Sequence, residues 1–283
     1  MRRPSLFAPV LLLGALTVLA VYVVLLVVLW SQQERIVFQP PTVLFAARQP
    51  TVGGEPVRQV SYRASDGTTL FAYLIGETEG LRCVLIAFHG NADLARNLVP
   101  WAAEVARRTH VAVLLPELRG YDRLPGRPTY SSAANDARAA WQVAHDSLGV
   151  PEANIALFGH SLGSAIATEL ASEHRPRALI LQSPLSSARA MAARMFIPGI
   201  AFFWPIMTRV HYDTIHRVRA LDAPVWVAHG DRDRIIPAAM GREVFEAAAH
   251  KGELLIVESA GHNDVAEIGG EDYWRWLTRA LAE

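Results

Sequence analysis

The chain has 283 residues, 51% of them apolar and 19% charged, with 27 basic and 27 acidic side chains in balance. That composition excludes a disordered chain or a charged coiled coil, and with no basic stripe it excludes nucleic acid as a partner. The single cysteine, Cys83, excludes an intrachain disulfide framework and a cysteine-based zinc site.

From Ala8 to Trp30 the sequence carries no charge. A helix rising ~1.5 Å per residue crosses a ~30 Å hydrocarbon core with such a run, so residues 8–30 are predicted to be a single-pass transmembrane anchor. The alternative is a cleaved signal peptide, with Arg2 and Arg3 as its basic end and Val18-Leu19-Ala20 as its cleavage site. The apolar run continues for ten residues beyond Ala20, past the roughly 7–15 residues of such a segment, which favours an uncleaved anchor. Arg2 and Arg3 precede the run, while Glu34 and Arg35 cancel after it, so the positive-inside rule places the N-terminus in the cytoplasm and the rest of the chain outside. Residues 31–56 contain four prolines and the pair Gly53-Gly54 and are expected to form an irregular linker. The domain proper is then 57–283.

Val57–Tyr62 and Thr68–Ile75, joined at Asp66-Gly67, read as a hairpin. Six short apolar runs follow: Cys83–Phe88, Val111–Leu115, Ile155–Phe158, Ala178–Leu181, Val225–Ala228 and Leu254–Val257. Helix-patterned stretches separate them, including Leu94–Arg107, Ala133–Ser147, Ala165–Glu173 and Ala238–Ala249. Strands that are apolar on both faces and alternate with helices predict an α/β fold, a mostly parallel sheet covered on both sides. Ligands bind such a sheet at the carboxyl ends of its strands.

Directly after one of these strands comes Gly159-His160-Ser161-Leu162-Gly163, followed by a helix-prone run. Strand, Gly-x-Ser-x-Gly and helix in that order make a nucleophile elbow, a sharp turn that lifts a serine hydroxyl above the sheet. Such a serine needs a base, and the base needs an acid. His229-Gly230-Asp231-Arg232-Asp233 follows one later strand and offers two acids. Ala260-Gly261-His262-Asn263-Asp264 follows the next and offers an imidazole. The candidate triad is Ser161, Asp233 and His262, with Asp231 competing for the acid. Backbone N–H groups of Leu162 and of Asn91, in His89-Gly90-Asn91-Ala92, are the candidate oxyanion donors. His89, His229 and His160 are expected to be structural. No His-Glu-x-x-His or comparable cluster occurs, so neither a metal nor a cofactor is expected.

The segments HGNA, GHSLG, HGDRDRIIP and AGHND, in this order, resemble the α/β-hydrolase superfamily. Within it the chain is similar to the Bem46-like or serine aminopeptidase-like branch of membrane-anchored hydrolases, which QERIVFQP at 33–40 also resembles. The resemblance covers roughly residues 32–280. It implies Ser161 as nucleophile, Asp233 as acid, His262 as base and the N–H groups of Asn91 and Leu162 as oxyanion donors. The chain departs from the pattern at Glu117, where an Asp is usual, and at Asp122–Gly126.

The uncharged run Met195–Met207, broken by Pro198, Gly199 and Pro205, cannot be one long helix. It reads as a cap helix filling space over the sheet, or as an apolar acyl pocket or membrane-touching lid. The function expected is hydrolysis of a carboxylic ester or thioester, small or lipid-like, at the membrane. The alternatives are an aminopeptidase, with Glu117 or Asp122 holding a substrate amine, and an inactive binding module on the same fold.

Overall fold

The computed structural model describes residues 7–42, 49–77, 83–195 and 199–282. A long helix α1 (Phe7–Val37) precedes a short antiparallel pair, β1 (Thr51–Val52) and β2 (Glu55–Pro56). The hairpin β3 (Arg58–Arg63) and β4 (Thr69–Ile75) follows. Then come β5 (Val84–Phe88), α2 (Val99–Thr109), β6 (Ala112–Pro116), α3 (Tyr130–Gln142), β7 (Ile155–His160), α4 (Leu162–Ala171) and β8 (Leu179–Gln182). Three short helices, α5 (Ala188–Ala193), α6 (Ile200–Met207) and α7 (Thr214–Val218), form a cap before β9 (Val225–Gly230), α8 (Ala238–Ala247), β10 (Lys251–Val257) and α9 (Val265–Ala282).

The main sheet has the order β10-β9-β8-β7-β5-β6-β4-β3. Only β4 runs against its neighbours, antiparallel to both β3 and β6. β5 and β6 are buried at every position because helices cover both faces, which is why their sequences are continuously apolar rather than alternating. One face packs α3, α4 and α8 through residues such as Trp141, Ile166 and Val244, and the other packs α2 and α9 through Val105, Trp276 and Leu277. Each fully buried Leu, Ile or Val contributes about 1.5–3 kcal/mol. The register brings the carboxyl ends level: Phe88 lies opposite Gly159, His160 opposite Gln182, and Val257 opposite Gly230. Loops leaving β5, β7, β9 and β10 therefore meet above one edge.

The helix does not end at Trp30 with a linker beginning at Ser31: α1 continues unbroken through Val37. Tertiary contacts hold the extension. Gln33 is buried, donating from Nε2 to the Met207 carbonyl (2.7 Å) and accepting from the Arg209 N–H (2.8 Å). Phe38, just past the helix, is buried against Tyr212. Pro40 and Pro41 then end the run. In the cap, Gly199 takes a left-handed conformation and starts α6, so the break expected at Pro198-Gly199 falls before a short helix that contains Pro205. Phe196–Pro198 lie outside the described residues.

Candidate active site

Ser161 sits between β7 and α4 with φ 54° and ψ −118°, a conformation an L-residue adopts at a cost of about 1–3 kcal/mol. The flanking glycines make it possible. A β-carbon on Gly159 would fall on the Gly163 carbonyl, and one on Gly163 would fall on the Phe88 carbonyl. The turn is pinned by Ser161 N–H donating to the Gln182 carbonyl at 3.0 Å.

His262 reaches the same edge from the loop after β10, its Nε2 2.9 Å from Ser161 Oγ and its Nδ1 2.6 Å from Asp233 Oδ2. Gly230 permits this approach, since a β-carbon there would strike the Ala260 and Gly261 carbonyls. Asp233 is nearly buried and fully paired. Oδ1 accepts from the N–H groups of Ile235 and Ile236 at 2.8 Å each, and Oδ2 faces His262 and His229. Burial opposes its ionisation, but the hydrogen bonds from His229, His262 and Ile236 outweigh that and hold the carboxyl well below the usual range. Asp231 is turned elsewhere and accepts from the Ser259 N–H at 2.7 Å. Of the two acids, Asp233 is the one brought to the imidazole.

The other histidines are engaged away from Ser161. His229 Nε2 lies 3.2 Å from Asp233 and 2.9 Å from the Ile236 carbonyl, bracing the acid loop. His160 Nε2 lies 3.0 Å from the His262 carbonyl and holds the base's own backbone. Burial, and then the nearby His262, lower its pKa to about 4, so it is neutral at pH 7.

Asn91 and Leu162 flank Ser161, and neither N–H donates to a protein acceptor among the described residues. The Asn91 side chain is fixed by accepting from the Gln39 N–H (2.8 Å) and the Tyr121 hydroxyl (3.0 Å). Behind it lies a buried pair whose role sequence reasoning missed: His89 Nε2 meets Glu117 Oε1 at 2.8 Å, and His89 Nδ1 meets the Gly90 carbonyl at 2.8 Å. Glu117 also accepts from the N–H groups of Ala95 (3.0 Å) and Leu118 (3.1 Å), so it ties the Gly90-Asn91 turn to the loop after β6. Asp122 pairs with Arg96. Neither acid is free to hold a substrate amine.

Two cavities meet at Ser161. One, of about 340 Å³, is lined almost wholly by apolar side chains, including Leu185, Met191, Ile200, Trp204, Met207 and Ile236. The other, of about 760 Å³, is more polar and is lined by His262, Asn97, Gln182, Asn263, Asp93 and Glu267. Ser161 and Asn91 belong to both walls. Among the described residues no group of His, Cys, Asp and Glu side chains is arranged to hold a metal.

A parallel sheet with a serine elbow, an imidazole and a carboxylate arriving on successive later strands is the plan of the α/β-hydrolase superfamily, and this chain belongs to it. The profile of the family described as "Serine aminopeptidase, S33" matches residues 80–214. An uncharacterized protein of Mycobacterium tuberculosis is 33% identical over 266 residues, 90% of this chain and 89% of that one. Alpha/beta hydrolase domain-containing protein 17C of Xenopus laevis is 27% identical over 229 residues, 80% of this chain and 68% of that one. Among solved structures, an esterase of Pyrococcus furiosus superposes with a TM-score of 0.68 at 16% identity, covering 86% of this chain and 98% of that one. These structures share the fold.

Proposed function

We propose that this protein is a membrane-anchored serine hydrolase that cleaves a carboxylic ester or thioester through an acyl-enzyme. The observation that carries the reading is the hydrogen-bonded line Ser161, His262, Asp233, starting from a serine held at positive φ between strand and helix. Ser161 Oγ–H donates to His262 Nε2, and the imidazole takes the proton as Oγ attacks the acyl carbon. Asp233, ionised by its four donors, accepts from Nδ1–H, fixes the tautomer and stabilises the imidazolium. The N–H groups of Asn91 and Leu162 receive the oxyanion, each donor of this kind being worth about 10²–10³ in kcat. Collapse expels the alcohol or thiol with the proton from His262, and water repeats the cycle to release the acid. The apolar cavity takes the acyl part and the polar cavity the leaving group.

The engagement of Glu117 and Asp122 removes the support for an aminopeptidase, and the complete triad argues against an inactive binding module. Helix α1 is long and apolar enough to cross a bilayer, its most apolar 18 residues having a mean hydropathy of 2.9, and Arg2 and Arg3 favour a cytoplasmic N-terminus. Labelling of the full chain by a fluorophosphonate, abolished in Ser161→Ala, is the expected result. A parent protein that resists the reagent, or a Ser161→Ala variant that still reacts, overturns the reading. Protease added to spheroplasts is expected to digest the domain, and its survival reverses the orientation.

A further inference from the structure

We propose that the membrane anchor is itself part of the acyl site: the end of α1 and the cap helix α6 enclose the apolar cavity at the bilayer surface, and the substrate is an acyl ester resident in the membrane that enters sideways between them. The proposal rests on the serine-hydrolase reading for its chemistry and on independent geometry for its location.

Four residues of α1, Leu29, Gln33, Ile36 and Val37, line the cavity that contains Ser161. At spacings i, i+4, i+7 and i+8 they form one face of the helix, so the anchor presents a continuous stripe to the site. Opposite stand Ile200, Trp204 and Met207 of α6. A tether would leave this wall open, whereas a docked helix completes it.

The depth follows from the contacts between the two helices. The apolar run ends at Trp30, which places that indole at the water interface, where aromatic side chains collect. The Arg209 guanidinium covers it at 5.2 Å. At the upper end of α6, the Met207 carbonyl meets Gln33 at 2.7 Å. At its lower end, the ring of Phe203 lies 6.5 Å from Tyr22, and Gly199 is close enough that an added β-carbon would sit 3.2 Å from the Tyr22 hydroxyl. Tyr22 is eight residues before Trp30, about 12 Å deeper along a helix. Thus α6 descends beside the anchor into the layer that acyl chains occupy. Its sequence, IAFFWPIM, carries no charge, and Phe202 and Ile206 project outward with 76% and 84% of their surface uncovered by protein. Contiguous apolar exposure of this kind is costly in water and favourable in lipid. A chain lying between the helices therefore leads from hydrocarbon to Ser161 without crossing water.

The test uses the full chain in phosphatidylcholine vesicles, with 4-nitrophenyl acetate and dodecanoate as probes. Leu29→Trp and Ile36→Trp fill the cavity from the anchor side. An indole that displaces two or more methylenes, at ~0.8 kcal/mol each, lowers the dodecanoate-to-acetate ratio of kcat/KM roughly tenfold or more. Val27→Trp, on the same helix but outside the cavity wall, keeps the parent ratio. Equal ratios in all four proteins, or an equal fall in Val27→Trp, overturn the proposal. A fluorescent probe on Phe202→Cys gives a readout free of catalysis, with the unmutated chain as labelling control. Quenching by spin labels on the lipid chains is expected, and quenching by aqueous iodide alone overturns the depth assignment. Loss of fluorophosphonate labelling in the parent sinks the serine chemistry and leaves the depth measurement standing.

Discussion

Two of the imidazole–carboxylate pairs along the carboxyl edge of the sheet are built from the same chemistry to opposite ends. In one, His262 Nδ1 meets Asp233 at 2.6 Å and its Nε2 faces the Ser161 hydroxyl. In the other, His89 Nε2 meets Glu117 at 2.8 Å and its Nδ1 faces the Gly90 carbonyl. The carboxylate orients the ring in both cases. What the second nitrogen faces decides the outcome: a hydroxyl makes the ring a proton acceptor, and a carbonyl of its own loop makes it a brace. The charged states differ as well. Hydrogen bonds hold Asp233 well below the usual carboxylate range against the pull of burial. For His89, burial pulls the pKa down, but the charge and hydrogen bond of Glu117, with the Gly90 carbonyl, outweigh it and raise the value.

Breaking the first pair is expected to have the largest effect. Ser161→Ala or His262→Ala lowers kcat by roughly 10⁶, and the double variant is little worse, because the residues act as one unit. Steady-state kinetics that show additive losses contradict the triad. Asp233→Asn lowers kcat by about 10⁴ through the wrong tautomer, while Asp231→Asn stays mild. The reverse result moves the acid to Asp231. Breaking the second pair acts on stability: Glu117→Gln disturbs a carboxylate serving three donors, His89 and the N–H groups of Ala95 and Leu118, and costs about 1–3 kcal/mol in a urea titration. A loss of kcat as large as that of Asp233→Asn would give the two pairs one role.

The smallest effect is the dependence of stability on pH, and here the pairs have opposite signs. A depressed Asp233 contributes stability that is present above an unfolded value of roughly 4 and is lost as pH falls through the folded value. A raised His89 contributes stability that is present below roughly 6.5 and is lost as pH rises through the folded value. Denaturation of Asp233→Asn is therefore expected to lose part of the acid-side slope, and that of Glu117→Gln part of the alkaline-side slope. Unchanged slopes in both variants remove the assignment.

The strands and the order serine, acid, imidazole are legible in the sequence because each depends on a local pattern: a short apolar run, a glycine pair around Ser161, a polar loop after a strand. Glu117 was legible as a departure from a family pattern but not as a buried partner, since its three donors come from His89, Ala95 and its own neighbour Leu118, and no local pattern brings β5 and β6 together. The same reason hid the choice between Asp231 and Asp233, which is made by the twist of a loop closing on Ala260. The extension of α1 through residues 31–37 was obscured by its polar composition and by the prolines that follow. Its signal was present in the spacing of Leu29, Gln33, Ile36 and Val37, an apolar stripe interrupted by a single amide.

That amide clamps two backbone groups on either side of Thr208, the Met207 carbonyl and the Arg209 N–H. Bonds on both sides of one residue fix the rotational phase of the helix as well as its position. One residue inserted between Trp30 and Gln33 turns everything upstream by about 100° and shifts it by ~1.5 Å. Tyr22 then leaves Phe203, Leu29 leaves the cavity, and the ring of Trp30 leaves Arg209. Seven inserted residues return the phase to within about 20° but carry Tyr22, Leu29 and Trp30 about 10 Å along the axis, away from the same partners. Helix α1 is therefore closed to changes of length between Trp30 and Gln33.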